Sequence, residues 1–151
     1  MQIRQFEVDD ANQWGRTPHE REHLASAVEK AGDYLAAVLP SGRIIGKIGI
    51  RYDDQPEAGT VFQFDVIADF RNQGVGTALL DHAEKRIRER GWGRATLAVE
   101  DSNIDAMRLY RRRGYVVCGA EDSEWDQQVP DGTTYRYRCR CLLMQRTLSP
   151  A

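Results

Sequence analysis

The chain has 151 residues, with 21 Lys and Arg against 23 Asp and Glu, a formal net charge of -2, and 41% hydrophobic residues. That size suits one domain, residues 1–151, with a core of its own, and the charge gives no reason to expect nucleic acid as a partner. No apolar run approaches the ~20 residues of a membrane span, and the N-terminus lacks a signal-peptide pattern. Cys118, Cys139 and Cys141 cannot all pair, so a reduced cytoplasmic setting is the expected one.

Met1 to Val8 alternates in polarity and predicts a first strand. Asp9 and Asp10 open a short helical or loop segment through Trp14. Thr17-Pro18-His19-Glu20 is a helix start: Thr17 can cap, Pro18 suits the first helical position, and Glu20 completes a capping box. The helix should run to about Ala31, with Gly32 just past its end. Within it, His19-Glu20-Arg21-Glu22-His23 matches the zincin string His-Glu-x-x-His, in which two histidines four apart bind zinc and the Glu acts as base. Here the string occupies the first turn, and the only other histidine is His82. A solvated, charge-rich turn capped by Glu20 is the better reading, and no metal is expected.

Asp33 to Leu39, a Pro40-Ser41-Gly42 turn, and Arg43 to Tyr52 predict a β-hairpin, followed by a polar turn to Gly59. The next strand, through Ile67, leads into Ala68-Asp69-Phe70-Arg71-Asn72-Gln73-Gly74-Val75-Gly76-Thr77 and a helix from about Gly74 to Arg90. Two glycines stand where turn becomes helix. They allow a ligand near the backbone and leave first-turn N–H groups outward, at the positive end of the helix dipole. Arg71 and Gln73 add side-chain donors, and no carboxylate occurs between Arg71 and Leu80. Such a site suits a pyrophosphate-bearing cofactor. It is not a P-loop, because Thr77 and Ala78 follow Gly76 where Lys and Ser or Thr belong, and Leu79 breaks the dinucleotide fingerprint. A glycine-softened turn without ligand fits the same residues.

On that helix Val75, Leu79, Ala83 and Ile87 form an apolar stripe, with Asp81, Glu84, Lys85, Arg88 and Glu89 on a charged side expected to be wet. Gly91 ends it. Arg94 to Glu100 is a further strand, parallel to the strand before the helix through a right-handed crossover. Ser102 to Arg113 predicts a capped helix ended by Gly114. Tyr115 to Gly119 and Thr134 to Leu148 are two closing strands around an acidic loop with Glu121, Asp122, Glu124, Asp126 and Asp131. Arg136, Arg138 and Arg140 share one face of the last strand as a solvated edge. Cys139 and Cys141 share a face as packing residues.

Arg71-x-x-Gly74-x-Gly76 resembles the acetyl-CoA motif of the GNAT family of N-acetyltransferases. Asn103-x-x-Ala106-x-x-Leu109-Tyr110-x-x-x-Gly114-Tyr115 is similar to the family's second signature. Together they cover the chain from about Ile44 to Val117. The resemblance implies an α/β (α+β) mixed sheet, mostly antiparallel with one parallel strand pair, flanked by helices. It implies acetyl-CoA as cosubstrate, with no metal. The backbone of Asn72, Gln73, Gly74, Val75, Gly76 and Thr77, with Arg71, would hold the pyrophosphate. The strand end at Phe64, Val66 and Ile67 would line the cofactor, with a backbone N–H at or near Val66 stabilising the thioester oxygen. Tyr110 would protonate the departing thiolate and touch the cofactor, and Asn103 would contact or orient the pantetheine arm. Arg111 to Arg113 could meet the 3′-phosphate or form a solvated helix end.

The branch of this family that acetylates protein N-termini carries a Glu where Ala98 stands here, so that substrate class is not implied. Asp65 and Glu100 are the nearby carboxylates that could serve as base, and a water relay would also serve. The acidic 121–131 loop would suit a cationic acceptor. The function so implied is acetyl transfer to a primary amine of a small molecule or peptide, with a homodimer left open. The rival is an acyl-CoA-binding regulatory module without catalysis, and behind it a zinc protease built on His19 and His23.

Overall fold

A computed structural model describes residues Met1–Ser149. They form two compact units, one of Met1–Ala95 with the chain from Thr147, the other of Thr96–Arg146.

The first unit begins with β1 (Gln2–Gln5), shorter than its alternation predicts. The chain turns off the strand because Asp10 accepts hydrogen bonds from the Glu7 N–H at 2.7 Å and from Arg4 at 2.7 Å, closing a 3-10 turn over Val8–Asp10. Then come α1 (Ala11–Trp14) and α2 (Pro18–Lys30). Thr17 caps α2, its hydroxyl accepting from the Glu20 N–H at 3.1 Å. The expected capping box is displaced by one residue: the Glu20 carboxylate accepts from the Arg16 N–H at 2.7 Å, not from Thr17. The electrostatic benefit is the same, a negative group beside the unpaired donors of a helix start. At the other end Gly32 is not a left-handed cap. It is needed because a Cβ there would overlap the Tyr52 ring.

β2 (Asp33–Val38), β3 (Ile44–Arg51) and β4 (Gly59–Val66) follow, and the order β1-β2-β3-β4 is antiparallel throughout. β2 and β3 are buried over almost their whole length, consistent with layers on both faces. β4 carries a feature its sequence does not announce. Lys47 opposes Asp65 but Gly49 opposes Phe62, so Gln63 and Phe64 together face Ile48, and Gln63 has a φ of 49°. This is a β-bulge made by a non-glycine residue in a sparsely populated region, and it bends the strand just before the glycine turn.

α3 (Val75–Glu89) lays Val75, Leu79, Ala83 and Ile87 into the core as its periodicity predicts. Glu84 departs from the expectation of a wet face, being only 1% exposed. It stands four residues after the buried Leu80, so the covered face is wider than the single four-step stripe.

β5 (Arg94–Glu100) leads into the second unit, whose α4 (Ile104–Arg112) is ended by Gly114 at a φ of 91°. β6 (Val116–Gln128) and β7 (Thr134–Thr147) form one long antiparallel hairpin, and β7 lies between β5 and β6. Here the expectation of an acidic loop fails. Glu121, Asp122, Glu124 and Asp126 lie on β6, and only residues 129–133 make the turn. Asp122, Glu124 and Asp126 stand directly opposite Arg140, Arg138 and Arg136. The Arg136 guanidinium reaches Glu124 at 2.9 Å and Asp126 at 3.2 Å, and Arg138 reaches Glu124 at 3.0 Å. The arginines are thus solvent-exposed as expected, but they stand on a strand between β5 and β6, not on an edge, and form one side of a cross-strand ion ladder. With its charges paired, this face loses the attraction for a cationic acceptor that an acidic loop would have had. Cys139 and Cys141 do share a face, their sulfurs 3.5 Å apart.

Candidate active site

The glycine turn opens on solvent. After a 3-10 turn at Ala68–Phe70, Asn72 and Gly74 take left-handed conformations, with φ of 61° and 84°, and α3 starts at Val75. The first helical bond there runs from the Ala78 N–H to the Gly74 carbonyl at 3.0 Å. The N–H groups ahead of Ala78 therefore have no partner within the helix. A Cβ built on Gly74 meets nothing within 4 Å, and no acidic residue lies in the first turn. Three conditions for an anion site coincide: unpaired donors, the positive dipole end and open space. The side-chain donors behave differently from expectation. Arg71 Nε donates to the Val66 carbonyl at 2.9 Å, and Gln73 donates to the Asp69 carbonyl at 3.0 Å. Both brace their own turn instead of pointing out from it.

The end of β4 is built on the bulge. The Val66 N–H donates to the Asp65 carboxylate at 2.9 Å, and Arg71 approaches the same carboxylate at 3.4 Å. The N–H of Ile67 is spent on the Ile45 carbonyl at 2.9 Å, so Val66 is the nearby amide that could be exposed by moving one side chain. Phe64 is the second residue of the bulge. Across from Asp65 lies Lys47, 7% exposed, which the sequence reading passed over. Its ammonium donates to the Gln63 carbonyl at 2.8 Å and to the Tyr34 hydroxyl at 3.1 Å, while the Tyr34 hydroxyl donates to the Gln63 amide oxygen at 2.7 Å. The rings of Trp14 and Tyr34 stand within 5.7 Å of the ammonium. Lys47 thus satisfies the carbonyl of the bulge residue itself. A lone Lys in an apolar strand carries no motif, which is why the pattern did not reveal it.

Burial lowers the Lys47 pKa from 10.5 to about 8, partly opposed by the charge of Asp65, and burial raises that of Tyr34. The sign follows from proton counts. Between about pH 8 and about pH 10.5 the folded chain has released a proton that the unfolded chain retains, so this contribution to stability rises with pH across that window and is lost as pH falls through it. Urea unfolding at about pH 7.5 and about pH 10 should show the stability of wild type, relative to Lys47→Met, rise by on the order of 2 kcal/mol at the higher pH. A constant difference would mean that Lys47 is not a buried cation.

The second unit holds the remaining expected residues. Asn103 is the N-cap of α4, its side chain accepting from the Ala106 N–H at 3.2 Å. Tyr110 is buried on α4, its ring 5.9 Å from that of Tyr115, and burial pushes its phenol up to about 12. Glu100, at the end of β5, accepts from the Tyr137 hydroxyl at 2.8 Å. Arg111 and Arg112 are exposed in the last turn of α4. In the first unit His19 and His23 lie exposed on α2 with rings 6.5 Å apart, and Glu20 between them is committed to the Arg16 amide. Among the described residues no group of three His, Cys, Asp or Glu side chains is placed to hold a metal ion. No helix among them is long and apolar enough to cross a membrane.

The architecture is that of the α/β acetyltransferases, a mixed seven-stranded sheet with one parallel pair and flanking helices. It matches the ribosomal-protein-S18-alanine N-acetyltransferase of Escherichia coli over 99% of this chain and 95% of that one, with a TM-score of 0.76 at 22% identity. The chain belongs to the Acetyltransferase (GNAT) family, whose model matches residues 1–115. Among curated relatives, it is 30% identical over 98 residues to a streptothricin acetyltransferase of Streptomyces lavendulae, covering 65% of this chain and 52% of that protein. It is 31% identical over 103 residues to a mycothiol acetyltransferase of an Arthrobacter species, covering 66% of this chain and 30% of that one. The chain therefore spans about half or less of the length of these two relatives.

Proposed function

We propose that the chain transfers an acetyl group from acetyl-CoA to a primary amine of a small molecule or peptide, in the cytoplasm and without a metal. The observation that carries this reading is the open helix start at Gly74, whose unpaired amides and dipole suit a diphosphate. Acetyl-CoA supplies the activated acyl group and a thiolate leaving group. Asn72 to Thr77 hold the diphosphate through their backbone, with Arg71 and Gln73 keeping the turn in shape. Phe64, Val66 and Ile67 border the acyl end, and the Val66 N–H polarises the thioester oxygen once the Asp65 carboxylate releases it. Asn103 orients the pantetheine arm from the start of α4, and Tyr110 donates to the departing sulfur. Asp65 or Glu100, directly or through water, takes the proton of the incoming ammonium.

The rival, a module that binds acyl-CoA without turnover, draws support from the commitments of both carboxylates, Asp65 to the Val66 N–H and Glu100 to Tyr137. One experiment separates the two. Thiol release from acetyl-CoA is followed against a panel of primary amines, alongside calorimetric titration with acetyl-CoA. Binding with amine-dependent release is the expected result. Binding with no release from any amine would leave the module, and absence of binding would defeat both.

A further inference from the structure

The two faces of the β6–β7 hairpin have opposite character. Even-numbered Arg136, Arg138 and Arg140 meet Asp126, Glu124 and Asp122 on one face, where positive and negative charges pair. The odd-numbered residues of β7 form the other. Tyr137 stands directly across from Trp125, with ring centroids 4.9 Å apart, and Tyr135 packs edge-on to Tyr137 at 6.5 Å. Cross-strand stacking accounts for the Trp125–Tyr137 pair. It does not account for Trp125 remaining 39% and Tyr135 49% exposed, nor for a carboxylate among them. Glu100 of β5 is fixed by the Tyr137 hydroxyl at 2.8 Å, and within this unit no basic side chain pairs with it.

Ring faces are negative and so is the carboxylate, so the two features recruit the same ligand chemistry. A cation gains from the quadrupole of Trp and Tyr and from the carboxylate together, whereas an anion is repelled by both and a neutral tail gains only contact area. Two lone-pair sites per oxygen leave Glu100 able to accept from an ammonium while it holds Tyr137. Ala98 is exposed and lies two residues before Glu100, hence on the same face of β5. Its methyl leaves open the space beside the carboxylate that a longer side chain would take.

We propose that Trp125, Tyr135, Tyr137 and Glu100 bind an organic cation, the charged second group of an acceptor that presents its reactive amine at the other end. This deepens the transferase reading and rests on it for the word acceptor. The ligand class is a diamine, or an amine bearing a second ammonium or guanidinium group. Glu100 is thereby an anchor and not the base, and Asp65 or water is left for proton removal.

The test uses the full chain and two amines of equal length, 1,5-diaminopentane and 1-aminopentane. With acetyl-CoA present, wild type should prefer the diamine by roughly tenfold or more in kcat/KM, the difference lying in KM. Glu100→Gln and Trp125→Ala should each erase most of that preference. Trp125→Phe, which keeps a ring in the hairpin, should retain part of it. If Glu100→Gln lowers kcat equally for both amines, Glu100 is the base and the anchor is overturned. A wild type without preference overturns the proposal as well. A second arm is independent of turnover: calorimetric titration of the chain with 1,5-diaminopentane, with coenzyme A present. Saturable binding weakened by Glu100→Gln supports the cation site even if no acetyl transfer occurs. No binding at millimolar diamine overturns the site while leaving acetyl transfer to other amines intact.

Discussion

Gly74→Glu is expected to remove acetyl-CoA binding while leaving the chain folded. Gly74 has a φ of 84°, so any L side chain there bears backbone strain of about 1–2 kcal/mol. Against that, a carboxylate at a helix start interacts favourably with the dipole by about 0.3–1 kcal/mol. No atom lies within 4 Å of the new Cβ, so no clash is added. The net cost to folding is about 1 kcal/mol, a shift of a few degrees in Tm for a chain of this size. The effect on the ligand is larger. A negative charge about 4 Å from a phosphate in a surface environment costs about 4 kcal/mol, which is roughly 1000-fold in Kd. Calorimetric titration and a thermal melt measure the two quantities separately. Gly74→Asn, which tolerates the left-handed conformation and adds no charge, should bind far better than the Glu variant. Wild-type affinity in Gly74→Glu would mean that the helix start is not where the diphosphate lies.

Tyr110→Phe should lower kcat by about 100-fold, with acetyl-CoA affinity changed little. A positioned general acid contributes ~100- to 10,000-fold, and the acidity of this phenol selects the lower end. Its pKa of about 12 lies well above the ~8.5 of an ordinary thiol, so complete proton transfer to the thiolate is uphill by several kcal/mol. On the proposed mechanism Tyr110 would therefore act mainly by a hydrogen bond to the developing negative sulfur, stronger in the transition state than in the ground state. The pH dependence has a definite sign. A phenol with its pKa raised to about 12 stays protonated across the whole neutral and mildly basic range, so Tyr110 produces no fall in rate until pH climbs toward that value. Any basic limb below about pH 10 belongs to another group and should persist in Tyr110→Phe. Single-turnover acetylation beside steady-state rates is the measurement. An unchanged rate would remove Tyr110 from the reaction.

Lys47 shows what patterning could not reveal. Both β3 and β4 form close to their predicted bounds, yet the bulge at Gln63 leaves no mark because neither Gly nor Pro stands there. The bulge depends on pairing across the sheet: Lys47 of β3 and Tyr34 of β2 reach the carbonyl and side chain of Gln63 from 16 and 29 residues away. The β6–β7 hairpin failed for a related reason. Glu121 to Asp126 have poor strand propensity and read as a loop, but each acid on that face gains an arginine partner once the strands pair, and packing overrode propensity.

By itself the sequence determined whatever depends on near neighbours along the chain. That covers the Thr17 and Asn103 caps, the buried stripe of α3, the glycine-led helix start and the two family signatures, since capping, helical periodicity and left-handed turns are decided within a few residues. Only the tertiary structure decided where charge goes: Glu84 and Lys47 inside, Glu100 beside Tyr137, and arginines paired with acids along the hairpin. Those placements balance desolvation against partners brought from distant strands, and that balance exists only after the sheet has formed.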